Sequence, residues 1–222
     1  MKLVLYSGGQ TRQNYALHRS LVGLCENKKP LRLTYIPFCA DNATPFFSRI
    51  IRRYRSFGVQ QFYTLAVDEP FTAAELKLAL QSDIVYLAGG NTFYFLETLR
   101  RSGLMNPLRQ FVRQGGVLAG LSAGALILTP NIRLAGIPTF EADENDIGLH
   151  DLNALGVAPF EFSPHYSSTK RRDRSLLAYS LKTVYPIYAC PDGGGIVING
   201  EQWSAYGRIT VFHRGRKFNL IP

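Results

Sequence analysis

Five short apolar and β-branched runs, each followed by a longer amphipathic stretch, constrain the fold of this chain more than any other feature. Lys2 to Tyr6, Leu31 to Phe38, Gln61 to Val67, Asp83 to Leu87 and Gly116 to Gly120 have the length and composition of strands. Between them Asn14 to Cys25, Thr44 to Phe57, Thr72 to Leu80, Thr92 to Ser102 and Asn106 to Gln114 carry the helical period. Thr44 and Thr72 are placed as N-caps, and Gly58, Gly103 and Gly115 as stops. Strands that alternate with helices pair in parallel through right-handed crossovers and carry helices on both faces. The expected fold class is α/β, with a doubly wound, mostly parallel sheet.

With 222 residues, 46% of them hydrophobic, the chain is the size of one α/β domain, taken as residues 1–222. From Pro130 to about Pro164 the pattern is irregular, and an excursion of that length in a compact domain signals function. A helix over Arg172 to Leu181 follows. Four strand-like runs come next: Val184 to Ala189, Ile196 to Ile198, Gln202 to Tyr206 and Ile209 to His213. They are split by Gly193-Gly194-Gly195 and by Asn199-Gly200, a type I′ hairpin signal. The C-terminal part therefore reads as an antiparallel edge.

No apolar run approaches the roughly 20 residues of a membrane span, so no membrane partner is expected. The N-terminus reads as a first strand and lacks the features of a signal peptide. Cys25, Cys39 and Cys190 have neither C-x-x-C nor metal-ligand spacing, which points to a reducing cytoplasm and no metal. The formal charge of +9 is dispersed: Arg49, Arg52, Arg53 and Arg55 share one helix, and Lys170, Arg171, Arg172 and Arg174 lie near another. No nucleic-acid signature accompanies them, so they read as solvated or substrate-facing charge and not as a nucleic-acid surface.

The fifth strand delivers Gly120-Leu121-Ser122-Ala123-Gly124 to the carboxyl edge of the sheet, where ligands bind in open α/β folds. A serine on a tight strand-to-helix turn needs small neighbours, and its Oγ is then presented at a helix N-terminus as a nucleophile. The Ala123 N–H points to where an oxyanion would form. A second turn, Ala88-Gly89-Gly90-Asn91-Thr92, lacks the lysine of a P-loop and the spacing of a dinucleotide fingerprint, so the Gly90 N–H is assigned as a second oxyanion donor. Of four histidines, His165 in Phe162-Ser163-Pro164-His165-Tyr166-Ser167 best suits the general base. His18 lies within a helix, His213 in a terminal strand region, and His150 in the excursion. Glu141, Asp143, Glu144, Asp146, Asp151 and Glu161 all lie between nucleophile and base, and sequence chemistry does not choose among them as the third member.

Three of these motifs together resemble the peptidase E and cyanophycinase family of serine peptidases: Gly89-Gly90-Asn91-Thr92-Phe93, Gly120 to Ala125, and Ser163-Pro164-His165-Tyr166. Ile36-Pro37-Phe38 and Pro130-Asn131-Ile132 support the likeness. The resemblance implies a class I glutamine amidotransferase-like sheet, Ser122 as nucleophile, His165 as base and the N–H groups of Gly90 and Ala123 as oxyanion hole. It also implies a small peptide substrate and no cofactor. The dipeptidase branch has an Asp soon after the elbow, where this chain has Gly136-Ile137-Pro138. The cyanophycinase-like branch has a later Glu that falls nearest Glu141, which is therefore the expected acid. The family's preference for an N-terminal Asp, read partly by an arginine after the His motif, implies Arg171 or Arg174 as substrate-binding residues.

Overall fold

The computed structural model describes residues 1–9, 12–25, 30–41 and 43–220. The chain runs through β1 (Lys2–Tyr6), α1 (Tyr15–Gly23), β2 (Leu31–Ile36), α2 (Ala43–Arg55), β3 (Val59–Thr64), α3 (Ala73–Leu80) and β4 (Ile84–Leu87). It continues through α4 (Thr92–Arg101), α5 (Met105–Arg113), β5 (Val117–Leu121) and α6 (Ala123–Leu128). After the excursion come β6 (Glu161–Ser163), α7 (Lys170–Ser180), β7 (Ile187–Ala189), β8 (Gly195–Asn199), β9 (Gln202–Tyr206), β10 (Thr210–His213) and β11 (Arg216–Asn219).

A seven-stranded sheet has the order β3-β2-β4-β5-β1-β8-β9. Strands β3, β2, β4, β5 and β1 pair in parallel, while β8 and β9 add an antiparallel edge. Ile84 to Leu87 are all fully buried, as are Leu3 to Tyr6, because helices cover both faces and a parallel strand then has no polar side to show. The Thr72 cap forms a full capping box with Glu75, and Gly58, Gly103 and Gly115 take the positive φ expected of helix stops. Thr44 is not a cap: α2 already begins at Ala43, which puts Thr44 in its first turn.

Two C-terminal features differ from expectation. Asn199 pairs with Gln202, so Gly200 and Glu201 are the loop residues. Only Gly200 of these two has a positive φ, 64°, which is the II′ and not the I′ pattern. The last strands also do not all extend the main sheet: β10 and β11 join β7 and β6 in a second, four-stranded sheet of order β11-β10-β7-β6. In it β6 and β7 are parallel, with Ser163 opposite Ala189.

The excursion is irregular, as expected, and is tied down by arginine side chains. Arg100 donates to the carbonyls of Asp151 (2.7 Å) and Asn153 (2.6 Å), and Arg109 to those of Leu155 and Ala154 (both 2.9 Å). Part of the positive charge is thus consumed in backbone hydrogen bonding. Among the described residues no helix is long and apolar enough to cross a membrane.

Candidate active site

Strands β4, β5 and β1 are neighbours and end at one edge of the sheet. Ser122 follows β5 there with φ 51° and ψ −109°, a strained backbone for a residue with a side chain. Its N–H donates to the Tyr6 carbonyl at the end of β1 (3.0 Å), and the Gly124 N–H donates to the Ala88 carbonyl just past β4 (3.0 Å). These bonds draw the turn so close to both strands that no side chain fits beside the serine. A β-carbon on Gly120 would stand 2.3 Å from the Gly124 oxygen, and one on Gly124 would stand 2.5 Å from the Leu87 oxygen.

The loop after β4 lies against the same serine: the β-carbon position of Gly89 is 3.5 Å from Ser122 Cβ. Gly90 has φ 152°, and a β-carbon there would fall 2.2 Å from the Phe38 ring, so only glycine fits. The Gly90 N–H has no hydrogen-bond partner among the described residues. Ala123 opens α6, so its N–H stands outside the helix's own bonding ladder.

The imidazole arrives from the second sheet. Pro164-His165 follows β6, and Cys190-Pro191-Asp192 follows the parallel neighbour β7, so both loops emerge at one edge. His165 Nε2 lies 2.7 Å from Ser122 Oγ, and His165 Nδ1 lies 2.7 Å from Asp192 Oδ1. A carboxylate at Nδ1 selects the tautomer protonated there, which leaves Nε2 to accept the Ser122 proton. The His165 and Asp192 side chains are 49% and 56% exposed, so solvent screens their attraction and the contact orients the ring more than it stabilises the fold.

The backbone of His165, at φ 54°, is held from several directions. Its N–H donates to Ser7 Oγ (2.7 Å), and Ser7 in turn donates to the Cys190 carbonyl (2.7 Å). Arg172 donates to the carbonyls of His165 (2.7 Å) and Pro164 (2.8 Å). A β-carbon on Gly8 would lie 2.3 Å from Asp192 Oδ1 and 2.4 Å from His165 Cε1, so the loop after β1 is packed directly on the pair.

Three expectations need correction. Glu141 does not reach the imidazole: it sits on a short 3-10 turn, Thr139–Glu141, and its Oε2 pairs with Arg172 Nη1 at 2.7 Å. The excursion folds over the start of α4, where Asp143 accepts from the Thr92 N–H (2.8 Å) and hydroxyl, while Asp192 occupies Nδ1. Arg171 is exposed and stacks on the Phe140 ring, 3.8 Å from its centroid, and Arg174 is exposed. The arginine that faces the site is Arg172, because the Thr169 cap starts α7 at Lys170 and turns Arg172 and Leu176 inward together. Of the other histidines, His150 is exposed and His18 is buried against Tyr6 and Tyr54.

A cavity of about 280 Å³ adjoins Ser122 and His165. Leu126, Leu134 and Ile137 supply apolar walls, and Arg172, Glu141 and Asp143, the last beside Thr92, bring charged groups. Arg172 is 7% exposed, and its Nε is buried from solvent with no hydrogen-bond partner.

The sequence model of peptidase family S51 matches residues 3–206. The chain belongs to peptidase family S51. An uncharacterized peptidase of Listeria monocytogenes, Lmo0363, is 33% identical over 111 residues, 48% of this chain and 53% of that protein; the chain thus spans about half the length of this relative. Peptidase E of Escherichia coli is 27% identical over 226 residues, 96% of this chain and 93% of that one. The crystal structure of a peptidase from an acI-B1 Actinobacterium has the same fold, with a TM-score of 0.73 at 19% identity, covering 99% of this chain and 93% of that one. This is the class I glutamine amidotransferase-like arrangement that the motifs implied.

Within this S51 chain, sequence reasoning missed Asp192, Arg172, Ser7 and Gly8. For Asp192 a signal existed: Cys190-Pro191-Asp192-Gly193-Gly194-Gly195 puts a carboxylate in a glycine-rich turn after a strand, but the glycines read only as a break between strands. Ser7 and Gly8 act through neighbours remote in sequence and carried no signal.

Proposed function

We propose that this chain is a serine peptidase acting on short peptides, with Ser122 as nucleophile, His165 as general base and Asp192 as the residue that orients the imidazole. The observation that carries this reading is the unbroken chain of two 2.7 Å contacts, Ser122 Oγ to His165 Nε2 and His165 Nδ1 to Asp192 Oδ1, at an open sheet edge. Ser122 Oγ attacks the peptide carbonyl carbon while its proton passes to His165 Nε2. The carbonyl oxygen becomes an oxyanion held by the N–H groups of Gly90 and Ala123. Collapse breaks the C–N bond, and His165 gives its proton to the departing amine. Water then attacks the acyl-Ser122 ester as His165 takes a proton from it, and the acid leaves as that proton returns to Ser122.

The acyl half occupies the Arg172 cavity. Its volume, about 280 Å³, and its wall of excursion residues suit the terminal residue of a short peptide better than the interior of a long chain. A second reading, preference for an N-terminal Asp, is favoured by Arg172, whose guanidinium lines this cavity. Glu141 beside it offers an anion to the substrate ammonium, so the pair matches both charges of such a residue. A cytoplasmic site of action suits the three free cysteines.

Dipeptide hydrolysis by the wild type and Ser122→Ala tests the assignment. Loss of a serine nucleophile costs on the order of 10⁶ in kcat, so the variant is expected to be inactive, and residual turnover above about one per cent overturns the reading.

A further inference from the structure

A second cavity, about 540 Å³, opens beside Tyr166 to Ser168, the residues that follow His165, and lies within the roughly 300–1,000 Å³ typical of ligand pockets. Its walls are Tyr166 and Ser168, which follow the imidazole, Pro191, which precedes Asp192, and Lys217 of β11, with Arg208 from the β9–β10 connection. Ser167 lines both this cavity and the one beside Ser122, so the two adjoin.

Its two cations are not equivalent. Lys217 Nζ donates to Ser168 Oγ (2.9 Å) and pairs with the Asp173 carboxylate, which also accepts from the Tyr166 hydroxyl (2.6 Å). That lysine is anchored and its charge is answered. Arg208 is exposed and makes no ion pair or hydrogen bond among the described residues. One uncompensated guanidinium therefore stands at a cavity walled by the Tyr166 ring and the Pro191 ring.

We infer that this cavity receives the leaving-group half of the peptide and that Arg208 binds its C-terminal carboxylate. The inference rests on the serine-peptidase reading: the imidazolium must reach the departing nitrogen to protonate it, so the residue that carries this nitrogen lies along Tyr166 to Ser168, beyond His165. The acyl half already fills the Arg172 cavity. In a dipeptide or tripeptide the terminal carboxylate follows that nitrogen within one or two residues, and a guanidinium takes a carboxylate through two parallel hydrogen bonds. The Tyr166 and Pro191 rings offer an apolar surface to the leaving residue's side chain. Selection for substrates that end soon after the scissile bond follows.

Titration calorimetry with Ser122→Ala protein, which holds substrate without cleaving it, tests this directly. Ala-Leu and Ala-Leu amide are compared in that background, then with Arg208→Ala added, and then with Arg216→Ala added as a control. Arg216 carries the same charge on β11 and does not line the cavity. The amide is expected to bind roughly 10- to 100-fold more weakly than the free acid, the value of a charged hydrogen bond. Arg208→Ala should weaken the acid alone and bring the two within about threefold, whereas Arg216→Ala should preserve the difference. Equal binding of acid and amide, or discrimination that survives Arg208→Ala, overturns the inference. Failure of the serine reading is separately visible, as turnover of Ala-Leu by Ser122→Ala protein in the calorimeter.

Discussion

Asp192 Oδ1 lies 2.7 Å from His165 Nδ1, and the two residues meet because each follows one of a pair of parallel strands, β7 and β6. Asp192→Asn keeps the shape of the side chain but removes the charge that fixes the Nδ1 tautomer and stabilises the imidazolium. Its kcat for Ala-Leu should fall by on the order of 10⁴. Glu141→Gln, which touches Arg172 instead, should lose far less. Steady-state kinetics of the two variants checks this ranking, and the reverse order would return the orienting role to Glu141.

Gly8→Ala introduces a β-carbon 2.3 Å from Asp192 Oδ1 and 2.4 Å from His165 Cε1. These side chains are half exposed and can move away, so the fold should survive while the imidazole loses its alignment. A displacement of about 1 Å in such a site costs about 10²-fold in rate. The expected outcome is a kcat lower by roughly that factor with near-native circular dichroism. Wild-type kcat in Gly8→Ala would show that the packing beneath the pair does not set its geometry.

On the proposed reading, specificity turns on the balance between Arg172 and Glu141, paired at 2.7 Å. Glu141→Gln removes the compensating anion but leaves Arg172 bonded to the His165 and Pro164 carbonyls, so the site should stand. Any contribution of Glu141 to the substrate ammonium is lost alike for all dipeptides. The kcat/KM ratio of Asp-Leu to Ala-Leu should therefore rise, by roughly tenfold if one charged hydrogen bond is strengthened. Arg171→Ala and Arg174→Ala, both on the exposed side of α7, should leave the ratio where it was. A ratio unchanged by Glu141→Gln would leave a general serine peptidase without aspartyl preference.

Acid sensitivity of the fold should trace in part to His18. Burial first, and nearby Arg53 second, hold its imidazole down to about 3. In the unfolded chain a histidine titrates near about 6.5 and so takes up a proton on unfolding between these values. The stability it supports is complete above about pH 6.5 and is lost as pH falls toward 3, with a slope approaching 1.4 kcal/mol per pH unit. Urea midpoints at pH 7.5 and 4.5 should therefore drop on acidification in the wild type and drop less in His18→Gln, which cannot titrate. Equal drops would assign the acid sensitivity elsewhere.

Much of the fold was legible because its strands are buried on both faces: Ile84 to Leu87 show no polar side, and such runs cannot be placed elsewhere. Ser122 was legible because its constraints are local, being the glycines that its own turn requires. Asp192 was not, because what brings it to His165 is the pairing of β6 with β7, a contact between strands that no spacing along the chain announces. Arg172 was passed over for Arg171 and Arg174 because a helix rotates by about 100° per residue. The family likeness places an arginine only somewhere after the His motif, and it is the Thr169 cap that turns Arg172 inward. The strand Arg216–Asn219 is exposed throughout, with no apolar alternation to betray it, and with it the second sheet stayed hidden.

The most direct test of the central claim is labelling with a fluorophosphonate, which reacts only with a serine whose hydroxyl is activated by a neighbouring base. Intact and peptide mass spectrometry should find one adduct per chain, on Ser122, absent from Ser122→Ala and formed far more slowly in His165→Ala. An unlabelled wild type, or an adduct that persists in Ser122→Ala, would contradict the account.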